Sequence, residues 1–459
     1  MTNTTQPSNP HFGWGSIARL GLIQACIGGV VVLATSTLNR ILVVELGLAA
    51  VIPGLLVASH YVVQLLRPRM GFGADQSGWC TPWILGGMLL LSAGGWLAAW
   101  GTTLIPDGQA SGLAVVSLGF LLIGVGVSAC GTSVLTLLAK RTLPTRRAGA
   151  ATLVWMMMIA GFAITAGTAG QLLDPFTPER LLQVAAGVTL LASALTAIAL
   201  IGLETRLLPT AEQPQASRSE APVPPVRFFS ALREVLAEPA TRQFTWFVAI
   251  SMLAFSAQDL ILEPFAGHVF GMTPGATTAL SGLQHAGVLT GMLLVAAAGS
   301  GRIFGRRLGS LSFWTVSGCL VSGFALLGLT IGGQVGPGWP LKANVFLLGA
   351  ANGAFSIAAI ASMMRLASEG AGAREGTRMG VWGAAQAIAF GLGGILGTSL
   401  SDIARWVVHD LGTAYGVVFL LEAVLFVVAA QLARSIREAP QAPIVPALRP
   451  PQEGEACHV

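Results

Sequence analysis

Twelve long stretches of continuously apolar sequence alternate with short polar intervals along this chain. They fall near 17–44, 49–66, 82–105, 112–139, 148–171 and 181–203, then near 243–263, 276–298, 308–331, 341–366, 377–401 and 412–434. About 20 apolar residues cross a bilayer as an α-helix. The continuity of the runs excludes a transmembrane barrel, whose strands alternate apolar and polar positions. Between the sixth and seventh runs lies TAEQPQASRSEAPVPPV, rich in Pro, Ser and charge, which cannot bury a core and reads as a flexible linker. The pattern predicts an all-α membrane protein with twelve transmembrane helices in two halves. Its expected parts are a tail (1–16), a six-helix bundle (17–204), a linker (205–240), a second bundle (241–436) and a second tail (437–459).

Composition agrees. Of 459 residues, 53% are hydrophobic and only 10% charged, against about 25% charged in soluble domains. Glycine recurs in spacings such as GVGVSACG and FGLGGILG, which let helices approach closely in lipid. The leader MTNTTQPSNPHFGWGS has no basic region of the kind a signal peptide carries, so the first run is expected to remain as a helix. The five cysteines are scattered without metal or disulfide spacing and are expected to serve packing.

Charge sets an orientation. With the N-terminus in the cytoplasm, 21 of the 25 Lys+Arg fall in cytoplasmic segments, leaving Arg40, Arg180, Lys342 and Arg405 outside. By the positive-inside rule both termini and the linker are cytoplasmic. The net charge of +5 then reflects topology, and no nucleic-acid partner is expected.

The two halves echo each other. At an offset of 227, RRAGAATLVW (146–155) lies on AREGTRMGVW (373–382), and Gly167/Gly394 and Gly170/Gly397 coincide as well. Parallel six-helix repeats are the architecture of the major facilitator superfamily. The loop GFGADQSG, with Gly71, Asp75 and Gly78, resembles that superfamily's cytoplasmic signature, with Trp79 and Cys80 where basic residues are usual. Its second-half counterpart GSGRIFGRRLG keeps the basic Arg302, Arg306 and Arg307 but lacks the Asp. Together these residues are expected to form a cytoplasmic gate.

More specific stretches follow: SHYVVQLLRPRMGFGAD, QDLILEPFAG, LQHAGVLTGM, ANGAFSIAAIASMM and REGTRMGVWGAAQAIAFGLGG. They resemble the bacteriochlorophyll-delivery family, the PucC and LhaA light-harvesting assembly proteins of phototrophic bacteria, over nearly the whole chain from Arg19 to Arg434. The resemblance implies an assembly factor in the inner, intracytoplasmic photosynthetic membrane. It implies bacteriochlorophyll and carotenoid as candidate ligands, and no other metal or nucleotide. The implied partners are light-harvesting antenna polypeptides, the reaction centre or bacteriochlorophyll synthase, and membrane lipids.

Two sets of residues are candidates for contact. His60 with Gln64 on the second helix, and Gln284 with His285 on the eighth, sit at corresponding places, the histidines 225 residues apart. A neutral imidazole can ligate chlorophyll magnesium, although a lone histidine in a bundle equally often bonds a neighbouring helix. The second set is an outer-side polar cluster: Asn39, Arg40, Glu45, Gln258, Asp259 and Glu263. Counting about 20 residues from Gln243 puts Asp259 near the outer interface and Glu263 at or beyond it. Pro264 disfavours helix at Glu263. A bond from Arg40 to Asp259 or Glu263 across the halves is then expected, and Glu422 is the only acid deep in an apolar run.

Three functions fit: an assembly factor for pigment–protein complexes, a proton-coupled small-molecule transporter, and a permanent structural subunit of a photosynthetic complex. No nucleophile–base pair or metal spacing appears within the apolar runs, so enzymatic chemistry is not expected.

Overall fold

The computed structural model describes residues 11–67, 70, 79–143, 146–204, 237–300, 308–369 and 375–436. All twelve apolar runs are helical. They are α1 (Trp14–Glu45), α2 (Val51–Val63), α3 (Thr81–Leu104), α4 (Gln109–Arg141), α5 (Arg147–Leu172) and α6 (Pro178–Leu200), followed by α7 (Pro239–Phe270), α8 (Pro274–Ser300), α9 (Leu311–Val335), α10 (Leu341–Glu369), α11 (Glu375–Val407) and α12 (Leu411–Ser435). Among the described residues, eleven helices are long and apolar enough to cross a membrane, and the shorter α2 is prolonged by the 3₁₀ turn Gln64–Leu66. Alternate helix ends gather at one end of the bundle with the linker, here the linker end. The short turns after α1, α3, α5, α7, α9 and α11 form the far end.

The packing repeats itself. In the first half α1 packs on α5 and α6, α3 on α4 and α6, and α2 on α4; in the second half α7 packs on α11 and α12, α9 on α10 and α12, and α8 on α10. Across the halves α5 meets α8 and α11 meets α2, again a matched pair. Each half has its own apolar core, and a smaller cluster around Ile159, Val288, Met292 and Ala358 lies on the α5–α8 side. This is the architecture expected of the major facilitator fold.

Glycine makes the closest approaches possible. A Cβ on Gly353 of α10 would lie 1.9 Å from the Val288 carbonyl of α8, and one on Gly126 of α4 would lie 2.4 Å from the Leu91 amide of α3. In lipid, where packing drives helix association, such contacts hold the bundle together.

One expectation is overturned. The seventh helix does not end at Glu263; it runs 32 residues to Phe270 with Pro264 inside it. Proline has no N–H for the carbonyl four residues back, and the freed Leu260 carbonyl is taken by the side-chain amide of Asn39, 2.7 Å away on α1. A neighbouring helix thus satisfies what proline leaves open, as membrane helices allow. The last part of α1 is itself irregular, with π-helical turns at Leu33–Leu38 and Ile41–Glu45.

Candidate site between the two halves

Because α7 continues, its acids lie deeper than the sequence suggested. At 1.5 Å per residue, Asp259 stands about 16 Å, and Glu263 about 10 Å, inside the far end of a helix that closes at Phe270. Neither is at the rim. Glu263 is 2% exposed and neither of its oxygens has a hydrogen-bond partner; its polar neighbours are Arg40, Thr277 and Ser281. Gln258 is fully buried with both amide atoms unpartnered. Glu422 of α12, buried as expected, also has two unpartnered oxygens.

The expected bond between Arg40 and these acids does not form. The Arg40 guanidinium instead pairs with Glu45 at the end of its own helix and donates to the Met272 carbonyl at 2.7 Å. It lies over Gly267, where a Cβ would come within 3.2 Å of Nε. The reason is reach: the π-helical turn brings Glu45 round onto the same guanidinium, and the turn just past α7 brings the Met272 carbonyl to it. Arg40 still joins the halves, through a backbone carbonyl.

Asp259 keeps part of its surface open and accepts from Gln284 Nε2 at 3.2 Å. It lies within electrostatic reach of His285 on α8, Tyr61 on α2, Glu263 and Glu422. The structure therefore brings Gln284, His285 and Asp259 together, with Tyr61 arriving from the other half. The Tyr61 ring packs, tilted, against Phe390 of α11 at 5.3 Å.

The two histidines occupy matched positions but different environments. His285 Nδ1 is 2.9 Å from the Ser281 carbonyl, a bond only an N–H can make, so the Nδ1 proton is fixed and the Nε2 lone pair is free. Its ring lies 5.0 Å from Phe162 of α5, in the seam between the halves. His60 is turned the other way. Arg67 donates to Gln64 Oε1, which directs the Gln64 amide nitrogen at His60 Nε2, 2.7 Å away. That engages the Nε2 lone pair and leaves a buried Nδ1 with no partner. The gate residues Gly71, Asp75, Gly78, Arg302, Arg306 and Arg307 lie outside the described residues. Cys26, Cys80, Cys130 and Cys319 are buried, in keeping with packing.

Sequence reasoning missed two carboxylates. Asp402, at the end of α11, accepts the Ala50 and Val51 amides at the start of α2, at 2.9 and 2.8 Å. Asp174, at the end of α5, accepts the Thr273 hydroxyl at 3.0 Å, and Thr273 caps α8 by accepting the Ala276 amide at 3.2 Å. The two acids are 228 residues apart, one step from the repeat offset. Carrying the repeat a few residues past Gly170/Gly397 would have found them.

Comparison with known proteins agrees with the fold and the resemblance. The family model described as PUCC protein matches residues 37–440. The chain is 50% identical over 437 residues to the "Bacteriochlorophyll synthase 44.5 kDa chain" of Rhodobacter capsulatus, covering 95% of this chain and 98% of that one. It is 28% identical to "Protein PucC" of the same organism, covering 90% of each. Among solved structures it is similar to a D-xylose-proton symporter, with a TM-score of 0.69, 14% identity and coverage of 92% and 97%. It is also similar to a bacterial homolog of the lysosomal transporter Spinster in an inward-facing, unoccupied conformation, with a TM-score of 0.67, 15% identity and coverage of 93% and 98%. At these identities the two structures speak for the fold alone. A match over most of the chain, with a relative at half identity end to end, is a family assignment: the chain belongs to the PUCC protein family.

Proposed function

We propose that the protein is an assembly factor for bacterial light-harvesting complexes that binds bacteriochlorophyll and passes it to newly inserted antenna polypeptides. Its place in the PUCC family and a relative named as a chain of bacteriochlorophyll synthase support this reading. The carrying observation is His285. With Nδ1–H bound to the Ser281 carbonyl, its Nε2 lone pair is available in a seam lined by apolar and aromatic side chains. That is the donor a chlorophyll magnesium accepts as axial ligand. Phe162 offers an aromatic face beside it, and Met156, Met158 and Met292 offer adaptable, polarizable packing. His60, engaged with Gln64, takes the structural part in this proposal.

The partners are then antenna polypeptides, with the reaction centre and bacteriochlorophyll synthase as further candidates; carotenoid and lipid are further apolar ligands. The family supports a site in the inner photosynthetic membrane, and the charge distribution supports an orientation with both termini cytoplasmic. In this reading the chain carries pigment and performs no chemistry on it.

A second reading, a proton-coupled small-molecule transporter, is favoured by one observation: Asp259, Glu263 and Glu422 all lie within membrane-spanning helices. One experiment separates the readings. The protein is purified in mild detergent, and its absorption spectrum and co-purifying polypeptides are recorded for the native chain, His285→Ala and His60→Ala. Pigment is expected with the native chain and His60→Ala and lost with His285→Ala. A colourless native protein whose deletion leaves the antenna intact would overturn the assembly reading. Retention at fixed stoichiometry in mature complexes would make it a permanent subunit.

A further inference from the structure

The far end of the bundle is closed by hydrogen bonds that cross the halves. Thr37 and Thr278 meet at 3.1 Å, Asn39 donates to the Leu260 carbonyl, and Arg40 donates to the Met272 carbonyl. Asp402 and Asp174 then reach across to the first turns of α2 and α8. These two contacts are counterparts. Ala50 and Val51 correspond to Gly275 and Ala276 at an offset of 225. Asp402 takes the Ala50 and Val51 amides directly, whereas Asp174 reaches the Ala276 amide through the Thr273 hydroxyl. A carboxylate at a helix N-terminus meets unbonded amides and the positive end of the helix dipole, so both contacts are favourable where they stand.

Each of the two residues also has an arginine, on the carboxylate of Asp402 and on the backbone carbonyl of Asp174. Arg405 donates to Asp402 Oδ1 at 2.6 Å, and Arg180, 225 residues before Arg405, donates to the Asp174 carbonyl. With Arg40 on Met272, three of the four basic residues that break the charge rule take part in, or brace, closure of the far end. Deeper in the seam the halves also meet through apolar and aromatic contacts: Phe162 on His285, Tyr61 on Phe390, and Ile159 with Val288 and Met292. Such surfaces can slide and part without stranding a hydrogen-bonding group, which the far end cannot do.

We infer that Asp402 and Asp174 are twin latches, duplicated with the repeat, that hold the far end shut so that the seam around His285 exchanges its occupant from the linker end. The exchange clause rests on the proposed pigment site; the latch itself does not. The occupant's route is then from the leaflet on the linker side, as suits a flat apolar amphiphile already dissolved in the membrane.

The test uses the full chain with its five cysteines replaced and one reporter, Thr278→Cys, in the far part of the seam, where Thr278 is 1% exposed. A membrane-impermeant maleimide is added from the side opposite the linker. Little labelling is expected in the reporter chain and a modest rise with Asp402→Ala or Asp174→Ala. Together they should raise the labelling rate about tenfold, equivalent to about 1.4 kcal/mol, and Asp402→Asn should restore part of the closure. A double variant that elutes as a folded monomer yet labels no faster overturns the latch. If the alanine variants do not accumulate, Asp174→Cys with Thr273→Cys is oxidised in membranes: ready cross-linking supports the latch, and failure to cross-link overturns it. Normal latch behaviour in a chain that never holds pigment would sink the pigment reading and leave the latch standing.

Discussion

The side-chain amide of Asn39 in α1 donates to the backbone carbonyl of Leu260 in α7, 2.7 Å away, and this bond exists because Pro264 cannot make it. One residue in the first half thus completes a helix in the second. The contact explains why a proline that should have ended α7 lies inside it. It also explains why Asp259 and Glu263 stand within the bundle and not at its rim.

Asn39→Ala should therefore cost about 1–2 kcal/mol, because a buried carbonyl loses its donor. Pro264→Ala restores the helical N–H to Leu260, so Asn39→Ala should be markedly less harmful in that background. Thermal unfolding of the four proteins in detergent gives the coupling. Strictly additive losses would show that the two residues act independently.

Arg40 should couple to Glu45 and not to Glu263. A double-mutant cycle for Arg40 and Glu45 should return about 0.5–1 kcal/mol, modest because Glu45 is exposed. The cycle for Arg40 and Glu263 should return less than that. Glu263→Gln should cost little, since the amide keeps the side chain's shape beside Thr277 and Ser281. A large Arg40–Glu263 coupling would revive the bond the structure does not contain.

Gly353→Ala should be severe. Its Cβ would sit 1.9 Å from the Val288 carbonyl, and backbone cannot yield there without separating α8 from α10. A loss of about 3 kcal/mol or more is expected, visible as failure to accumulate in the membrane. Gly383→Ala is the control: nothing lies within 4 Å of its Cβ, and alanine favours helix. Equal tolerance of both would contradict the close packing of α8 on α10.

Asp410 caps α12 in a far-end turn outside the membrane. Its Oδ2 accepts the Thr413 amide at 2.7 Å and the Thr413 hydroxyl at 2.6 Å. The Thr413 hydroxyl, then its amide, hold the carboxyl below its usual value. A carboxylate so lowered contributes stability above its unfolded pKa and loses it as pH falls through the folded one. Asp410→Ala should thus melt below the native protein at neutral pH, and the two melting temperatures should converge in acid below both values. A gap independent of pH would mean that charge plays no part in the cap.

Much of this was legible in the order of residues. Apolar runs long enough to span lipid, a polar linker and a repeated glycine register announce two six-helix bundles, because in a bilayer each helix satisfies its own backbone and its length follows from the layer's thickness. The site was legible only in part. His60 and His285 are the same residue type at matched positions, yet one nitrogen bond each, to Gln64 and to the Ser281 carbonyl, gives them opposite lone-pair arrangements. Both bonds are to residues four positions away, yet the order of residues does not say which ring nitrogen each one engages.

By itself the sequence determined the number and duplication of the helices, since those follow from composition along one dimension. The tertiary structure decided where polar groups ended up: Asn39 on the Leu260 carbonyl, Arg40 on the Met272 carbonyl, Asp402 and Asp174 on the starts of α2 and α8. These are contacts between residues some 100 to more than 350 positions apart. They are set by which helix ends arrive at the same depth, and each buried polar group takes the partner that depth supplies.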